Sequence, residues 1–296
     1  MRTVFLGTSA FAAVVLERLA ASPHRPALVV TRPDRPRGRG RKLASPPVAD
    51  AARKLGIAVD QPQSVNDVQA RERIGTADPE VVCVCAFGAL IKEPLLSEHL
   101  MLNIHPSLLP RWRGAAPIER AIMAGDRLSG VSIMQVTAGL DSGPVCTQQE
   151  EPIEPADTYG TLSARLSSLG GELLVGALDA GRLQCEQQDD SSATYADKIS
   201  SEDRRLDPAL PAVVLERTVR ALTPHVGAHV ELPDGSWLGV REARARSDAL
   251  PAPGVVAVDG TVPVLACAQG SLELLAVQPP GRRVMSGEDF LRGYRR

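Results

Sequence analysis

The 296-residue chain is short of several things, and each shortage narrows what it can be. Its five cysteines are an odd number and mostly sit in apolar surroundings, so they suit reduced thiols in a core better than a disulfide framework. Cys83 and Cys85 alternate within "VVCVCAF", where a strand points both to one face. With no partner pair elsewhere they read as small buried hydrophobes, not as half of a metal site. Neither sign of charge is in excess: the formal net charge is -2, with 33 Lys and Arg against 35 Asp and Glu. A chain of this balance does not coat itself with phosphates, and any nucleic-acid contact has to be a local patch. No apolar run is long enough to span a bilayer, and the run in "MRTVFLGTSAF" is too short for a signal peptide. The expected setting is soluble and cytoplasmic. The turn in "FLGTSAF" carries a single glycine and lacks G-x-G-x-x-G, so it reads as a helix start and not as a dinucleotide site. Internal repeats are missing as well.

What is present is ample apolar material, 44% of residues, arranged in short runs between helical patterns. "TVFLG" and "ALVVT" read as strands, with Ser9 capping a helix between them. A long polar loop leads to a helix that begins around Ser45, Pro46 and Pro47 and stops at Gly56. "EVVCVCAF", "MLNI" and "GVSIMQV" are further buried strands, and Asp157 is placed to cap a long amphipathic helix through Leu162, Leu166 and Leu169. This alternation predicts a Rossmann-like, doubly wound, mostly parallel α/β sheet over residues 1–189. Residues 190–206 are polar and proline-punctuated, a linker with at most short helices. In 207–296 a helix is followed by "AHVEL", "WLGVREA", "GVVAV", "VPVLA" and "SLELLAV", five short strands that predict a small OB-like β-barrel. Ser286 and Asp289 stand at capping-box spacing before a last helical turn.

"NIHPSLLPRWRGAAPI", residues 103–118, packs many conformationally demanding residues behind a buried strand. In an open α/β sheet, ligands bind beyond the carboxyl ends of the strands. Asn103 and His105 alternate there, so both address one point, while Pro106 and Pro110 fix the backbone that follows. Asp141 lies in the glycine-rich "VTAGLDSGP" after a later strand. Asn, His and Asp together can perform acyl transfer without a nucleophile. The amide and a protonated imidazole donate to a developing oxyanion, and the carboxylate favours and orients the imidazolium. A lone His would read as packing; this set does not.

These segments, with the opening "VFLGTSAFA" and "GVSIMQVTAGLDSG", resemble the methionyl-tRNA formyltransferase family of folate-dependent formyltransferases. The likeness runs from Val4 through "PPGRRVMSGEDFLRG"; N-x-H-x-S-L-L-P is shared widely, and "RWRGAAPI" narrows it. The resemblance implies a catalytic trio of Asn103, His105 and Asp141. It implies formyl-folate contacts at Ser107, Leu108, Leu109 and Pro110, with a pterin slot near Phe87, Gly88, Ala89 and Leu90. The activity implied is transfer of a formyl group from 10-formyltetrahydrofolate to methionyl-initiator tRNA, with no metal, membrane or obligate protein partner. The family usually carries Pro where this chain has Ser9, which caps a helix equally well.

"TRPDRPRGRGRKLASPP" holds Arg35, Arg37, Arg39, Arg41 and Lys42 and reads alone as a solvated loop. The resemblance favours it as a loop that grips the tRNA acceptor stem, Arg39 foremost. Trp112 stacks on a base or pterin, or anchors its loop in a hydrophobic notch; Arg111 and Arg113 meet phosphate or brace the segment. His24, His99, His225 and His229 have no ligand spacing and read as surface or packing residues. A formyltransferase acting on an amino sugar nucleotide or a purine precursor would use the same trio but needs neither basic loop nor barrel. A non-catalytic RNA-binding module would have no reason to gather the trio.

Overall fold

The apolar runs of the first 152 residues become the strands of one sheet, and those after residue 227 become another. The computed structural model describes residues 1–37, 42–181, 183–232, 234–248, 256–259 and 261–294. The chain forms two compact units. One comprises Met1–Gly114, Leu128–Pro152 and Ser163–Tyr195; the other comprises Ala115–Arg127, Ile153–Leu162 and Ala196–Arg296.

In the first unit, β1 (Thr3–Gly7), α1 (Ala10–Ala20) and β2 (Pro26–Val30) open the fold. Ser9 caps α1 as expected, its hydroxyl accepting from Ala12 N at 3.2 Å. The basic segment contains a two-stranded antiparallel hairpin, β3 (Arg35–Arg37) and β4 (Lys42–Ala44), where an unbroken loop was expected. Its turn, with Arg39 and Arg41, lies outside the described residues. There follow α2 (Pro47–Lys54), β5 (Ala58–Asp60), α3 (Val68–Thr76), β6 (Val81–Cys85), α4 (Leu95–Glu98), β7 (Met101–His105) and the short β8 (Arg113–Gly114). After α5 (Pro117–Ala124), a part of the second unit, come β9 (Leu128–Gln135), β10 (Val145–Pro152) and α6 (Tyr159–Asp179).

The sheet order is β10-β9-β7-β6-β1-β2-β5. Strands β5, β2, β1, β6 and β7 are parallel, as the near-continuous apolar runs predict. β9 and β10 are antiparallel additions. On β7 the period of two is decisive. Met101 joins the cluster of Val4, Leu6, Val82 and Val84 with Ile74 of α3 and Leu95 of α4, and Asn103 and His105 continue that face. Ile104 turns to the other face, against Gly170 of α6; a Cβ on Gly170 would lie 2.9 Å from Ile104 Cγ2, so glycine permits this close approach.

Two local expectations change. Thr158, not Asp157, receives the first-turn amide of α6: Thr161 N donates to Thr158 Oγ1 at 3.3 Å, while buried Asp157 accepts from Glu154 N and Thr161 Oγ1. Cys146 and Cys185, expected as reduced thiols, form a disulfide. The reason is register. Val145 and Glu186 exchange both backbone hydrogen bonds, so the next pair, 146 and 185, is the close, non-hydrogen-bonded kind, with its Cα atoms 3.9 Å apart. Cys83, Cys85 and Cys267 are free and buried; burial pushes the Cys83 thiol up to about 12 and raises that of Cys85 as well.

The second unit carries β11 (Tyr195–Ala196) at its border in the chain, then α7 (Ala212–Leu222) and an antiparallel sheet. Its strands are β12 (Ala228–Glu231), β13 (Trp237–Arg246), β14 (Val256–Asp259), β15 (Val262–Ala266), β16 (Ser271–Gln278) and β17 (Met285–Ser286). They run in the order β12-β13-β16-β15-β14, with β17 on β16, and α8 (Gly287–Tyr294) follows. Ser286 and Asp289 form the anticipated capping box at 2.9 and 3.1 Å. The core of this unit joins Leu215, Val219 and Leu222 of α7 to Val230, Leu238, Val240, Leu272 and Leu274, with Met123 of α5 packed against it. Among the described residues, no helix is long and apolar enough to cross a membrane.

Candidate active site

β7 delivers Asn103 and His105 to one face, and the structure brings Asp141 to both. Asn103 Nδ2 lies 3.4 Å from Asp141 Oδ1, and His105 Nδ1 lies 3.6 Å from Asp141 Oδ2. Asp141 does not arrive from a neighbouring carboxyl end. Because β9 is antiparallel, Gln135 pairs with Leu102, and the connection to β10 doubles back over the face to place Asp141. Asp141 sits at φ 45°, a left-handed conformation that Asp tolerates better than most side chains.

The segment after β7 fixes both partners. His105, 4% exposed, has Nε2 2.8 Å from the Trp112 carbonyl. A carbonyl only accepts, so Nε2 carries its hydrogen and Nδ1 is the nitrogen left for chemistry. The hydrogen bond that orients the ring is therefore made to Trp112; Asp141, at 3.6 Å, contributes charge. Two residues on, Gly114 N donates to Asp141 Oδ2 at 2.9 Å. Trp112 itself is at φ 62°, with the Arg111 guanidinium 4.5 Å over its ring. Arg113 is buried and braces the segment: Nε donates to Gln188 Oε1 at 3.0 Å and a terminal nitrogen meets Asp190 Oδ1 at 2.7 Å.

The four residues of "SLLP" are held down on β9. Ser132 Oγ donates to the Ser107 carbonyl at 2.6 Å and accepts from Leu109 N at 3.1 Å, while Gln148 Nε2 donates to the Leu109 carbonyl at 2.7 Å. Ser107 is buried and its hydroxyl donates to the Arg111 carbonyl, so it is not turned toward a ligand. Leu108 packs on Gly130, Leu109 is buried, and Leu109 with Pro110 lines a cavity of about 400 Å³ bounded by Gln148 and Gln188. In the other expected contact segment, Phe87 is buried and its carbonyl accepts from Thr8, whereas Gly88, Ala89 and Leu90 are exposed. Leu90, 69% exposed, is an apolar side chain open to a ring system. Arg35 is exposed on β3; Arg37 and Lys42 pair by backbone in the hairpin.

Sequence reasoning missed Gln188, Ser132, Gln148 and the carbonyl of Trp112. Gln188 sits in a stretch with no apolar period, and a carbonyl has no sequence signature.

Residues 1–178 match the formyl transferase family and residues 198–295 match the formyl transferase C-terminal domain. A methionyl-tRNA formyltransferase of Acidithiobacillus ferrooxidans is 45% identical over 302 residues, covering 99% of this chain and 96% of the relative. That of Methylococcus capsulatus is 44% identical over 301 residues, covering 99% and 97%. Among solved structures, a methionyl-tRNA formyltransferase from Clostridium thermocellum superposes with a TM-score of 0.62 at 14% identity, over 83% of this chain and 94% of that one. HypX from Aquifex aeolicus in complex with tetrahydrofolic acid gives 0.68 at 17% identity, over 98% of this chain and 47% of that one. At those identities the structures speak for the fold. With nearly its whole length matched in sequence, the chain belongs to the methionyl-tRNA formyltransferases of the formyl transferase family.

Proposed function

We propose that the enzyme transfers the formyl group of 10-formyltetrahydrofolate to the α-amino group of methionyl-initiator tRNA, giving N-formylmethionyl-tRNA for translation initiation. Family membership supports the reaction. The observation that carries it onto named residues is His105, with Nε2 tied to a carbonyl and Nδ1 left beside Asp141 and Asn103. Asn103 directs one amide hydrogen toward Asp141 and has a second for the formyl oxygen. Protonated Nδ1 of His105 donates to the same oxygen as negative charge develops there, and Asp141 stabilises the imidazolium. The attacking amine is the free base; its proton passes toward the departing folate nitrogen through Nδ1 or a water. No covalent intermediate with the protein is required. Leu109, Pro110 and the exposed Gly88–Leu90 turn hold the folate. Arg35, Arg37, Arg39, Arg41 and Lys42 meet tRNA phosphates, in a chain whose net charge of -2 offers no general attraction.

The test is formyl transfer from 10-formyltetrahydrofolate to charged initiator tRNA. The wild type should form product, and Asp141→Asn should lower kcat by about 10²- to 10³-fold with folate affinity kept. Absence of product with the wild type sinks the reaction; full turnover by the variant removes Asp141 from it.

A further inference from the structure

We propose that Gln188, aligned by buried Arg113, is a positioning residue that sets the distance of Asp141 from His105. The proposal rests on the catalytic reading above. Gln188 gives both hydrogens of its amide to the Asp141 connection: Nε2 lies 2.9 Å from the Asp141 carbonyl and 2.7 Å from that of Gly143. Its remaining atom, Oε1, accepts from Arg113 Nε at 3.0 Å. An amide can be turned either way in a pocket, and here the guanidinium decides. A donor at Oε1 forces the NH₂ group toward the two carbonyls.

Arg113 is 2% exposed and is held at its other end by Asp190. Its neighbours make the remaining contacts of the site, with the Trp112 carbonyl on His105 and the Gly114 amide on Asp141 Oδ2. Three successive residues thus fix the imidazole, the carboxylate and, through Gln188, the backbone that carries the carboxylate. Asp141 is in a left-handed conformation in a connection that doubles back on itself. Without the two bonds from Gln188, its carbonyl and that of Gly143 lose these protein donors, and a shift of about 1 Å at a reacting group costs roughly 10²-fold in rate.

Gln188→Glu is the discriminating variant. It conserves shape and can still pair with Arg113, but it turns oxygen toward two carbonyls in place of two N–H groups. In the tRNA formylation assay, kcat should fall about 10- to 100-fold, with KM for folate within about threefold and the melting temperature within a few degrees. Arg113→Lys, which keeps the charge for Asp190 and loses the Nε donor, should lower kcat in the same manner. A residue acting through Asp141 has nothing left to act on once that carboxylate is gone. Adding Gln188→Glu to Asp141→Asn should therefore slow the enzyme by less than about threefold further. Wild-type kcat in Gln188→Glu, or full additivity with Asp141→Asn, overturns the positioning role alone. Loss of kcat only in step with loss of folded protein in both variants overturns it too. Wild-type turnover by Asp141→Asn removes the catalytic reading, and this proposal with it.

Discussion

The amide of Asn103 faces a carboxylate oxygen at 3.4 Å, and in the proposed mechanism its second hydrogen goes to the formyl oxygen. Asn103→Asp leaves the shape unchanged but replaces that donor by an acceptor and sets a second carboxylate against Asp141. We expect kcat to fall by about 10²- to 10³-fold at neutral pH. Two carboxylates this close raise the pKa of one, and its protonated form can donate again. The rate of the variant relative to wild type should therefore recover as pH is lowered. A pH–rate profile parallel to that of the wild type would exclude Asn103 as the donor. The trio shows how much of a site can be read from sequence. Asn103 and His105 were legible because a strand has a period of two and the prolines mark where it ends. Asp141 was legible as an acid in a glycine-rich turn after a later strand, but its route was not, since nothing local says that an antiparallel strand doubles back to it. Gln188 was illegible: its role depends on carbonyls 45 and 47 positions away.

At the scale of elements, register decided what composition could not. An odd count of cysteines argued for free thiols, yet the pairing of Val145 with Glu186 sets Cys146 against Cys185 across 39 positions. Closing a loop of that length stabilises by about 3 to 4 kcal/mol in the chain-entropy model. Cys146→Ser should lower the melting temperature accordingly. Denatured wild type should titrate three thiols before reduction and five after it; five before reduction would show that the bond does not form. A second tie is electrostatic. Arg120 of α5 forks onto Asp203 at 2.6 and 2.9 Å and holds its carboxyl at about 2, below the usual 3.8. A depressed folded-state pKa stabilises above the unfolded value, and the gain is lost as pH falls through the folded one. The hydrogen bonds from Arg120 and Ser200 to this carboxyl together contribute up to about 2 kcal/mol at neutral pH before solvent screening reduces it, declining from near pH 4 toward pH 2. Asp203→Asn should be less stable than wild type by up to that amount at pH 7, with most of the difference gone near pH 2, as urea melts at the two pH values would show. Helices and strands themselves were read well, because apolar period and punctuation are local. The α6 cap was misplaced by one residue, since both Asp157 and Thr158 can cap and only packing chooses.

For the whole molecule, chain order and compact units diverge. A cut after residue 206, in the polar stretch, leaves the first unit complete, since it ends at Tyr195. The second unit is divided by the same cut, because α5 and residues 153–162 fall on the other side of it. Met123 of α5 packs on the core built by α7 and the antiparallel sheet. Glu119 meets His225 at 2.9 Å, Gly160 N donates to the Thr223 carbonyl, and Arg220 donates to the Asp157 carbonyl. Uncovering Met123 costs about 1.5 to 3 kcal/mol, and each lost hydrogen bond about 0.5 to 1.5 kcal/mol more. A whole domain has only about 5 to 15 kcal/mol of stability. Fragment 207–296 alone should therefore melt broadly and bind a hydrophobic dye. Fragment 1–206 should keep folate binding while exposing Met123 of α5. Mixing the two should sharpen the melt and reduce the dye signal, because α5 and residues 153–162 return to the core they belong to. The measurement is circular dichroism melting with dye fluorescence, for each fragment and for the mixture. A cooperative melt of 207–296 at the temperature of the full chain, unchanged by 1–206, would mean that α5 adds nothing to the second unit.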